Sequence, residues 1–266
     1  MSHPKPDHAI KTGQAAAALY ALWQQTKRCT GLAPAIRPAD RAEGYAVQAA
    51  FAQLHPSAVV GWKIAATSAE GQRHIGVDGP LAGRLFADRV LQSGAAVPLT
   101  GNLMRVAEIE FAFRFKHALL PRAEAYPVDE VMAAVGSVHP SIEVPDSRYD
   151  DFVTAGAPQL IADSACANLF VAGPPAHAWA GFDFIAQAIQ VRLNGEATDA
   201  GYGRNVLGDP RVALTWLVNT LSALDVVCET DQLVTTGTCR VPLTVKPGDH
   251  VAADFGVLGR VSCRFV

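Results

Sequence analysis

Three carboxylates are the residues of this sequence best suited to act together. Glu108 and Glu110 are separated by one residue in a segment that alternates with Ile and Phe. A strand would place both on one face, about 7 Å apart. Glu143 lies in the otherwise apolar stretch 140–145, where an ionised carboxylate needs a partner. Because converging carboxylates repel one another, the group suggests a hard divalent cation, and all-oxygen ligation suits Mg²⁺ or Mn²⁺.

Simpler explanations are open for each of these carboxylates. Glu108 and Glu110 could lie on the solvated face of an amphipathic strand, and Glu143 could pair with a nearby arginine such as Arg148. The spacing alone does not choose between these explanations and a metal site.

Three further side chains are candidates for chemistry. Lys63 has apolar neighbours in Gly61-Trp62-Lys63-Ile64, so it either extends to solvent or forms a buried cation beside a carboxylate or an enolate. Asp78 stands in a segment rich in turn formers, residues 76–83, and Asp163 could simply cap a helix or turn.

Composition and missing motifs exclude several classes of function. Lys and Arg number 22 and Asp and Glu 25, and this net charge of −3 gives no argument for a nucleic acid or membrane partner. The sequence has no G-x-S-x-G, P-loop, G-x-G-x-x-G or H-E-x-x-H pattern. Its five cysteines form no C-x-x-C pair, and the N-terminus has no apolar signal core, so we expect free thiols and a cytoplasmic protein.

The sequence pattern predicts mainly helices at the start of the chain and mainly strands towards its end. The pattern predicts helices at about 9–26, 40–54, 128–135 and 210–224, with Asp40 and Asp209 as the caps of the second and the last. It predicts strands at 59–64, 107–115, 141–144, 190–193, 232–236, 241–245, 251–255 and 261–266, with a hairpin at Asn194-Gly195. This order favours an α+β domain with a mixed or antiparallel β core.

Short segments along nearly the whole chain resemble one family. They are Gly61-Trp62-Lys63-Ile64, Gly76-Val77-Asp78, Glu108-Ile109-Glu110, Pro140-Ser141-Ile142-Glu143-Val144, Ala162-Asp163, Leu207-Gly208-x-Pro210, Thr236-Gly237 and Pro247-Gly248-Asp249. In this order they resemble the 2-oxopent-4-enoate hydratase and 4-oxalocrotonate decarboxylase group of the fumarylacetoacetate hydrolase superfamily.

The resemblance implies a fold, a cofactor and site residues. The fold would be the mixed β-roll of the superfamily's C-terminal domain, with N-terminal helices. Glu108, Glu110 and Glu143 would hold Mg²⁺ or Mn²⁺, and Lys63 and Asp78 would be the catalytic residues. A glutamate as third ligand favours this group over the C–C hydrolases of the superfamily, which typically have an aspartate there.

The resemblance also bears on organisation. We expect residues 1–56 to form a helical segment packed on a catalytic mixed-β domain, residues 57–266, in one structural unit. We expect the protein to assemble as a homo-oligomer, as members of the family do.

Four loops depart from the family's usual pattern. Where the family usually has Gln-Pro-Asp-Phe/Tyr-Gly, this chain has Gly79-Pro80-Leu81-Ala82-Gly83, and where the family has Ala-Asp-Asn, this chain has Ser164 in place of the asparagine. The family's Leu-Gly-His-Pro has Asp209 here in place of the histidine. The family's Thr-Gly-Ser/Ala-x-Gly-Pro corresponds to the segment 236–242, which has a different sequence. The resemblance places substrate contacts in these loops, and the corresponding residues here are Asp163, Ser164, Thr238 and Arg240. Arg240 would suit a second, distal carboxylate of the substrate; it could equally point to solvent or pair with a surface acid.

The leading hypothesis is a metal-dependent lyase for a small anionic 2-oxo or 2-hydroxy acid. It would add water to a 2-hydroxypenta-2,4-dienoate-like acid and give a 4-hydroxy-2-oxo acid. The metal would chelate the 1-carboxylate and the 2-oxygen, Lys63 would stabilise the enolate, and Asp78 would move protons. The competing hypotheses are a 4-oxalocrotonate-type decarboxylase, an acylpyruvate-type C–C hydrolase, and a non-catalytic oxo-acid binder.

Overall fold

The computed structural model describes residues 6–266 and contains six α-helices within them. They are α1 Pro6–Gln25, α2 Arg41–Leu54, α3 Ala69–His74, α4 Val128–Ala133, α5 Ala157–Ala162 and α6 Pro210–Ala223. The side chain of Asp40 accepts a hydrogen bond from the Glu43 N–H and begins α2, and Asp209 caps α6 in the same way through the Arg211 N–H. Both predicted caps are confirmed.

Fourteen strands follow and interleave with these helices in residues 6–266. They are β1 Val59–Ala65, β2 Leu81–Phe86, β3 Val90–Gln92, β4 Ala96–Val97, β5 Val106–Phe115, β6 Val135–Val144, β7 Leu169–Ala172, β8 Ala188–Leu193, β9 Glu196–Ala197, β10 Gly201–Tyr202, β11 Leu233–Thr238, β12 Leu243–Thr244, β13 His250–Asp254 and β14 Arg260–Phe265. The predicted Asn194-Gly195 hairpin joins β8 to β9, and both turn residues have positive φ.

The strands form two mixed sheets. The larger has the order β2-β1-β11-β5-β6-β7-β3, with β12 added beside β5. The smaller has the order β10-β8-β13-β14-β4, with β9 beside β8. Pairs β1–β11, β3–β7 and β4–β14 are parallel and the other pairs are antiparallel, so the predicted mixed β core is confirmed.

The main core fills the space between the two sheets and α6. Ile109, Phe111 and Phe113 of β5 are fully buried there, and the Phe111 ring meets the Phe255 ring edge to face at 5.1 Å. The apolar face predicted for this strand is therefore buried. Its opposite face, which carries Glu108 and Glu110, is left free to form a site.

The N-terminal helices build a second core. Buried side chains of α1 and α2, among them Leu19 and Phe51, pack with Phe86 of β2 and with Tyr149. α2 also packs against α5, which lies far along the chain. The division at residue 56 stays a prediction, although this packing ties the first two helices to later parts of the chain.

Three element boundaries differ from the predictions. β6 begins at 135 rather than 141, because its first half pairs with β5 although Gly136, Ser137 and His139 interrupt the apolar pattern. The predicted turn 76–83 stops at Pro80, since Leu81 already pairs with β1. The predicted strand 241–245 is reduced to two residues, and Pro242 just before it has no N–H to donate.

Candidate metal centre and active-site cavity

Strand pairing brings the three glutamates together. β5 and β6 pair with Glu108 directly opposite Glu143, and the two-residue period of β5 places Glu110 on the same face. One carboxylate oxygen from each residue lies within 4.8 Å of the others. The sequence named all three carboxylates as one candidate group, and the register between β5 and β6 brings them together.

Glu110 is fixed by the neighbouring strand β11. Its Oε2 accepts hydrogen bonds from the Thr235 hydroxyl and, at 2.8 Å, from the Gly237 N–H. Gly237 has a φ of 101°, and a Cβ there would lie 1.9 Å from Oγ1 of Thr67. Only glycine can bring this N–H so close to the carboxylate.

The buried carboxylates have oxygens without a partner. Glu110 and Glu143 are both 0% exposed. Among the residues described, Oε1 of Glu110 and Oε1 of Glu143 have no polar partner, and Oε2 of Glu143 has only the Lys63 ammonium beside it. Buried polar atoms without partners are rare and costly. A hard cation bound by carboxylate oxygens would satisfy them, and Glu108, which is partly exposed, would hold it from the cavity side. These residues therefore fit Mg²⁺ or Mn²⁺.

The acid–base properties of the cluster point the same way. Burial, and then the nearby charge of Glu108, raises the pKa of Glu110 to about 8. Burial also raises the pKa of Glu143, with the adjacent Lys63 opposing this shift and the two other carboxylates adding to it. Without a cation the raised pKa values favour protonation of the buried carboxylates, and a bound dication would replace these protons.

Lys63 is a buried cation beside this cluster. Its Nζ lies 3.1 Å from Oε2 of Glu143 and donates a hydrogen bond of 3.0 Å to the carbonyl oxygen of Ala165. Burial alone would lower the pKa of Lys63, but the carboxylate of Glu143 and then that of Glu108 outweigh it, and the net shift is upward. The side chain therefore stays charged, and it is buried beside a carboxylate instead of extending to solvent.

The carbonyl that holds Lys63 belongs to a strained segment. Ser164, Ala165 and Cys166 have φ values of 49°, 51° and 63°, a region that non-glycine residues rarely adopt. Arg148 bridges both ends of the segment: it pairs with the Asp163 carboxylate and donates to the Ala167 carbonyl at 3.2 Å. Arg148 is therefore not the partner of Glu143.

A large cavity opens over Glu108 and Lys63. Its volume is about 730 Å³ and its walls are mostly apolar. Thr238 and Arg240 line it. The Thr238 hydroxyl donates to the Arg240 carbonyl at 2.8 Å, while the Arg240 guanidinium donates to the Thr198 hydroxyl and, at 3.1 Å, to the Val241 carbonyl. No carboxylate of the described residues forms an ion pair with Arg240 within 4.0 Å.

Three of the predicted site residues do not reach this cavity. Asp78 is 88% exposed and pairs with Arg41 of α2, because the turn before β2 directs its side chain outward. The Asp163 carboxylate is buried against Arg148 and Ser147. The hydroxyl of Ser164 is buried without a partner and does not line the cavity. In this structure the Asp78 carboxylate has no contact with the cavity and the Asp163 carboxylate is paired with Arg148, so the roles predicted for them stay predictions.

Sequence reasoning missed two groups that build the site. Thr235 orients Glu110, and the Ala165 carbonyl holds Lys63. Thr235 carried no distinct signal, because it is one of three threonines in the strand Leu233–Thr238. A backbone carbonyl in a left-handed segment leaves no mark in side-chain types, so Ala165 could not have been found.

Comparisons with known proteins identify relatives of this chain and of its fold. No family model matches the sequence. The chain is 29% identical over 255 residues to a 2-keto-4-pentenoate hydratase of Paraburkholderia xenovorans (strain LB400), covering 95% of this chain and 94% of the relative. It is 31% identical over 209 residues to a 2-hydroxyhexa-2,4-dienoate hydratase of Comamonas testosteroni, covering 78% of each chain.

A solved structure shares the whole architecture. The 4-oxalocrotonate decarboxylase from Pseudomonas putida G7, complexed with magnesium and adipate, superposes with a TM-score of 0.87 at 24% identity, over 97% of this chain and 98% of that one. The fold that the sequence resemblance implied, a mixed β-roll core with N-terminal helices, is confirmed. Among residues 6–266, no helix combines the length and the apolar character needed to cross a bilayer.

Proposed function

Because the chain belongs to the family of 2-keto-4-pentenoate hydratases and 4-oxalocrotonate decarboxylases, we propose that it is a divalent-metal-dependent hydratase of 2-hydroxypenta-2,4-dienoate-like acids. The observation that carries the proposal is the cluster of Glu108, Glu110 and Glu143, in which Oε1 of Glu110 and Oε1 of Glu143 are buried without a partner and Lys63 lies alongside. Glu108 and Lys63 line a cavity that can admit a small acid.

The three glutamates would hold Mg²⁺ or Mn²⁺. When bound, such an ion supplies Lewis acidity toward the oxygens of a 2-oxo acid. Glu110 is oriented for this by Thr235 and Gly237, which occupy Oε2 and leave Oε1 free. Held in this way, the carboxylate keeps its position whether or not a cation is bound.

The reaction moves one proton and adds one water molecule. The proton leaves the 2-hydroxyl oxygen and C5 gains one, which gives a 2-oxo-3-enoate. The hydroxide part of water then joins C4 and its proton joins C3, so the product is a 4-hydroxy-2-oxo acid.

Lys63 acts on the charge that develops during these steps. Negative charge forms on the 2-oxygen, and the Lys63 ammonium lies in the cavity wall beside the glutamates. Because its pKa is raised, it serves as a fixed positive charge and not as a base. The apolar walls limit the number of water molecules around this charge, which strengthens the interaction. We assign no step to Asp78, since its carboxylate lies outside the cavity.

Decarboxylation of a 2-oxo diacid is the second candidate, and Arg240 favours it. Arg240 lines the cavity and its guanidinium contacts only neutral acceptors. A distal carboxylate could accept its remaining N–H groups. A C–C hydrolase would instead release two acids, and a non-catalytic oxo-acid binder would give no product.

One assay separates these functions. The protein is mixed with Mg²⁺ and the dienol, the loss of the dienol's ultraviolet absorbance is followed, and the products are identified. Because the dienol also ketonises spontaneously, Glu110→Gln protein serves as the matched blank. We expect a 4-hydroxy-2-oxo acid at a rate above this blank. Carbon dioxide released from 4-oxalocrotonate would support the decarboxylase instead, and binding without any product would refute a catalytic role.

Two broader expectations also stay proposals. The five cysteines are all free thiols, which supports the cytoplasm as the compartment. Assembly into a homo-oligomer follows from the family resemblance, and light scattering at working concentration tests it.

A further inference from the structure

The cavity is much larger than the five-carbon acid of the proposed function requires. Cavities of roughly 300–1,000 Å³ bind drug-sized ligands in other proteins. This one measures about 730 Å³. A 2-hydroxypenta-2,4-dienoate bound at Glu108 and Lys63 would therefore leave most of the space beyond its C5 end unfilled.

The unfilled part has an apolar wall. The residues that form it are Ile75, Leu81, Met104, Val106, Phe152 and Leu160. The Phe152 ring contacts His74 edge to face at 6.1 Å and closes one side. An apolar wall gains free energy when it is covered by an apolar group and none from a polar one.

Two departures from the family pattern add to this wall. Leu81 stands where the family usually has the aspartate of Gln-Pro-Asp, and it is fully buried against the cavity. Val241, in the segment 236–242 that departs from the family pattern, lies at the exposed rim of the same cavity. Leu81 and Val241 therefore both add apolar side chains to this cavity.

We propose that the preferred substrate is a 2-hydroxy-2,4-dienoate that carries on C5 an apolar group larger than methyl, with this group lying along the wall from Leu81 to Phe152. The proposal rests on the proposed function, because it takes the carboxylate end of the substrate to be held at the glutamates. The new element is the chemical class of the group at the opposite end of the substrate, on C5.

Substrate length gives the direct test. The Mg²⁺-loaded enzyme is assayed with dienoates that bear hydrogen, methyl, propyl or phenyl on C5. Burial of each methylene is expected to raise kcat/KM about fourfold until the wall is covered. Equal efficiencies along the series, or a maximum at the unsubstituted or the methyl-substituted acid, would overturn the proposal while leaving the hydratase function intact.

Binding of unreactive analogues separates the two proposals. The Mg²⁺-loaded protein is titrated calorimetrically with 2-oxopentanoate and with 5-phenyl-2-oxopentanoate. We expect the phenyl compound to bind at least tenfold more tightly. If none of the dienoates in the series turns over but the phenyl analogue still binds more tightly, the hydratase proposal fails and the apolar subsite stands. If the two affinities are equal, the subsite is refuted whatever the turnover.

A variant locates the effect on the wall. Ile75→Trp would fill the space beyond C5, and it should lower the ratio of phenyl to unsubstituted efficiency tenfold or more. The control is Val212→Phe, an added ring on the exposed face of α6 away from the cavity, which should leave the ratio unchanged. Unchanged Mn²⁺ affinity shows that Ile75→Trp has folded, and an unchanged ratio in that folded variant would contradict the assignment of the wall.

Discussion

Replacing Glu110 by glutamine tests the metal centre most directly. The variant keeps the size of the side chain and removes one of three anionic ligands. Glu110 uses Oε2 for Thr235 and Gly237 and has Oε1 free for a cation. The amide oxygen of glutamine will take the Oε2 position, since both neighbours donate hydrogen bonds there. That leaves an NH₂ group facing the metal position, which offers no lone pair.

The expected loss follows from this geometry. Removing a group that merely orients a metal ligand costs about 10–100-fold in metal affinity. Glu110→Gln removes a ligand and its charge together, so we expect Mn²⁺ affinity to fall a hundredfold or more, or about 2.7 kcal/mol or more. The metal-free fold should not suffer, because burial already raises the pKa of Glu110 to about 8 and the neutral form predominates near pH 7.

Calorimetric titration with Mn²⁺ measures the affinity, and thermal unfolding without metal measures the stability. The matched control is Glu70→Gln, which removes an exposed carboxylate that lines the same cavity outside the cluster. The control should bind Mn²⁺ like the wild type. An unchanged affinity in Glu110→Gln would refute the metal assignment, and equal losses in both variants would show a nonspecific effect of charge.

Three other predictions concern the same site. Mn²⁺ affinity should rise with pH through about 8, because below that pH binding must displace the proton that the raised pKa leaves on Glu110. Titrations in buffers of different ionisation enthalpy measure the released proton, and an affinity independent of pH would contradict this prediction. Lys63→Met should lower kcat about 10²–10³-fold, which is the usual cost of losing one preorganised charge or donor. Mn²⁺ binding should not weaken, because the substitution removes a positive charge that lies 3.1 Å from Glu143. An unchanged kcat would exclude the role assigned to Lys63. The decarboxylase hypothesis predicts that Arg240→Ala loses about 2–3 kcal/mol, or tens-fold, of kcat/KM for a 2-oxo diacid and little for a monoacid; equal changes on both substrates would count against that hypothesis.

Local patterns determined much of the architecture from sequence alone. The alternation in 107–115 correctly placed Ile109 and Phe111 in the core and both glutamates on the other face. The helix caps at Asp40 and Asp209 were found because capping depends on a side chain and a backbone N–H two or three residues away. Such features involve neighbours in the chain, and the residue types record them.

The site itself was decided by contacts between distant segments. Glu143 lies opposite Glu108 because of the register between β5 and β6, and Lys63 reaches Glu143 because β11 places β1 in the same sheet, one strand away from β5. The sequence predicted that these residues meet mainly through the family resemblance. The same resemblance pointed to Asp78, which the tertiary structure turns outward to Arg41 of α2.

The difference has a physical reason. The two-residue period of a strand fixes which side chains share a face, so the sequence determined that Glu108 and Glu110 act on one side. A shift of one residue in the pairing of β6 would move Glu143 to the opposite face, and that register depends on burial and hydrogen bonding along the entire strand. The sequence therefore determined which carboxylates were available, and only the tertiary structure decided that three of them converge beside one lysine that lines an apolar cavity.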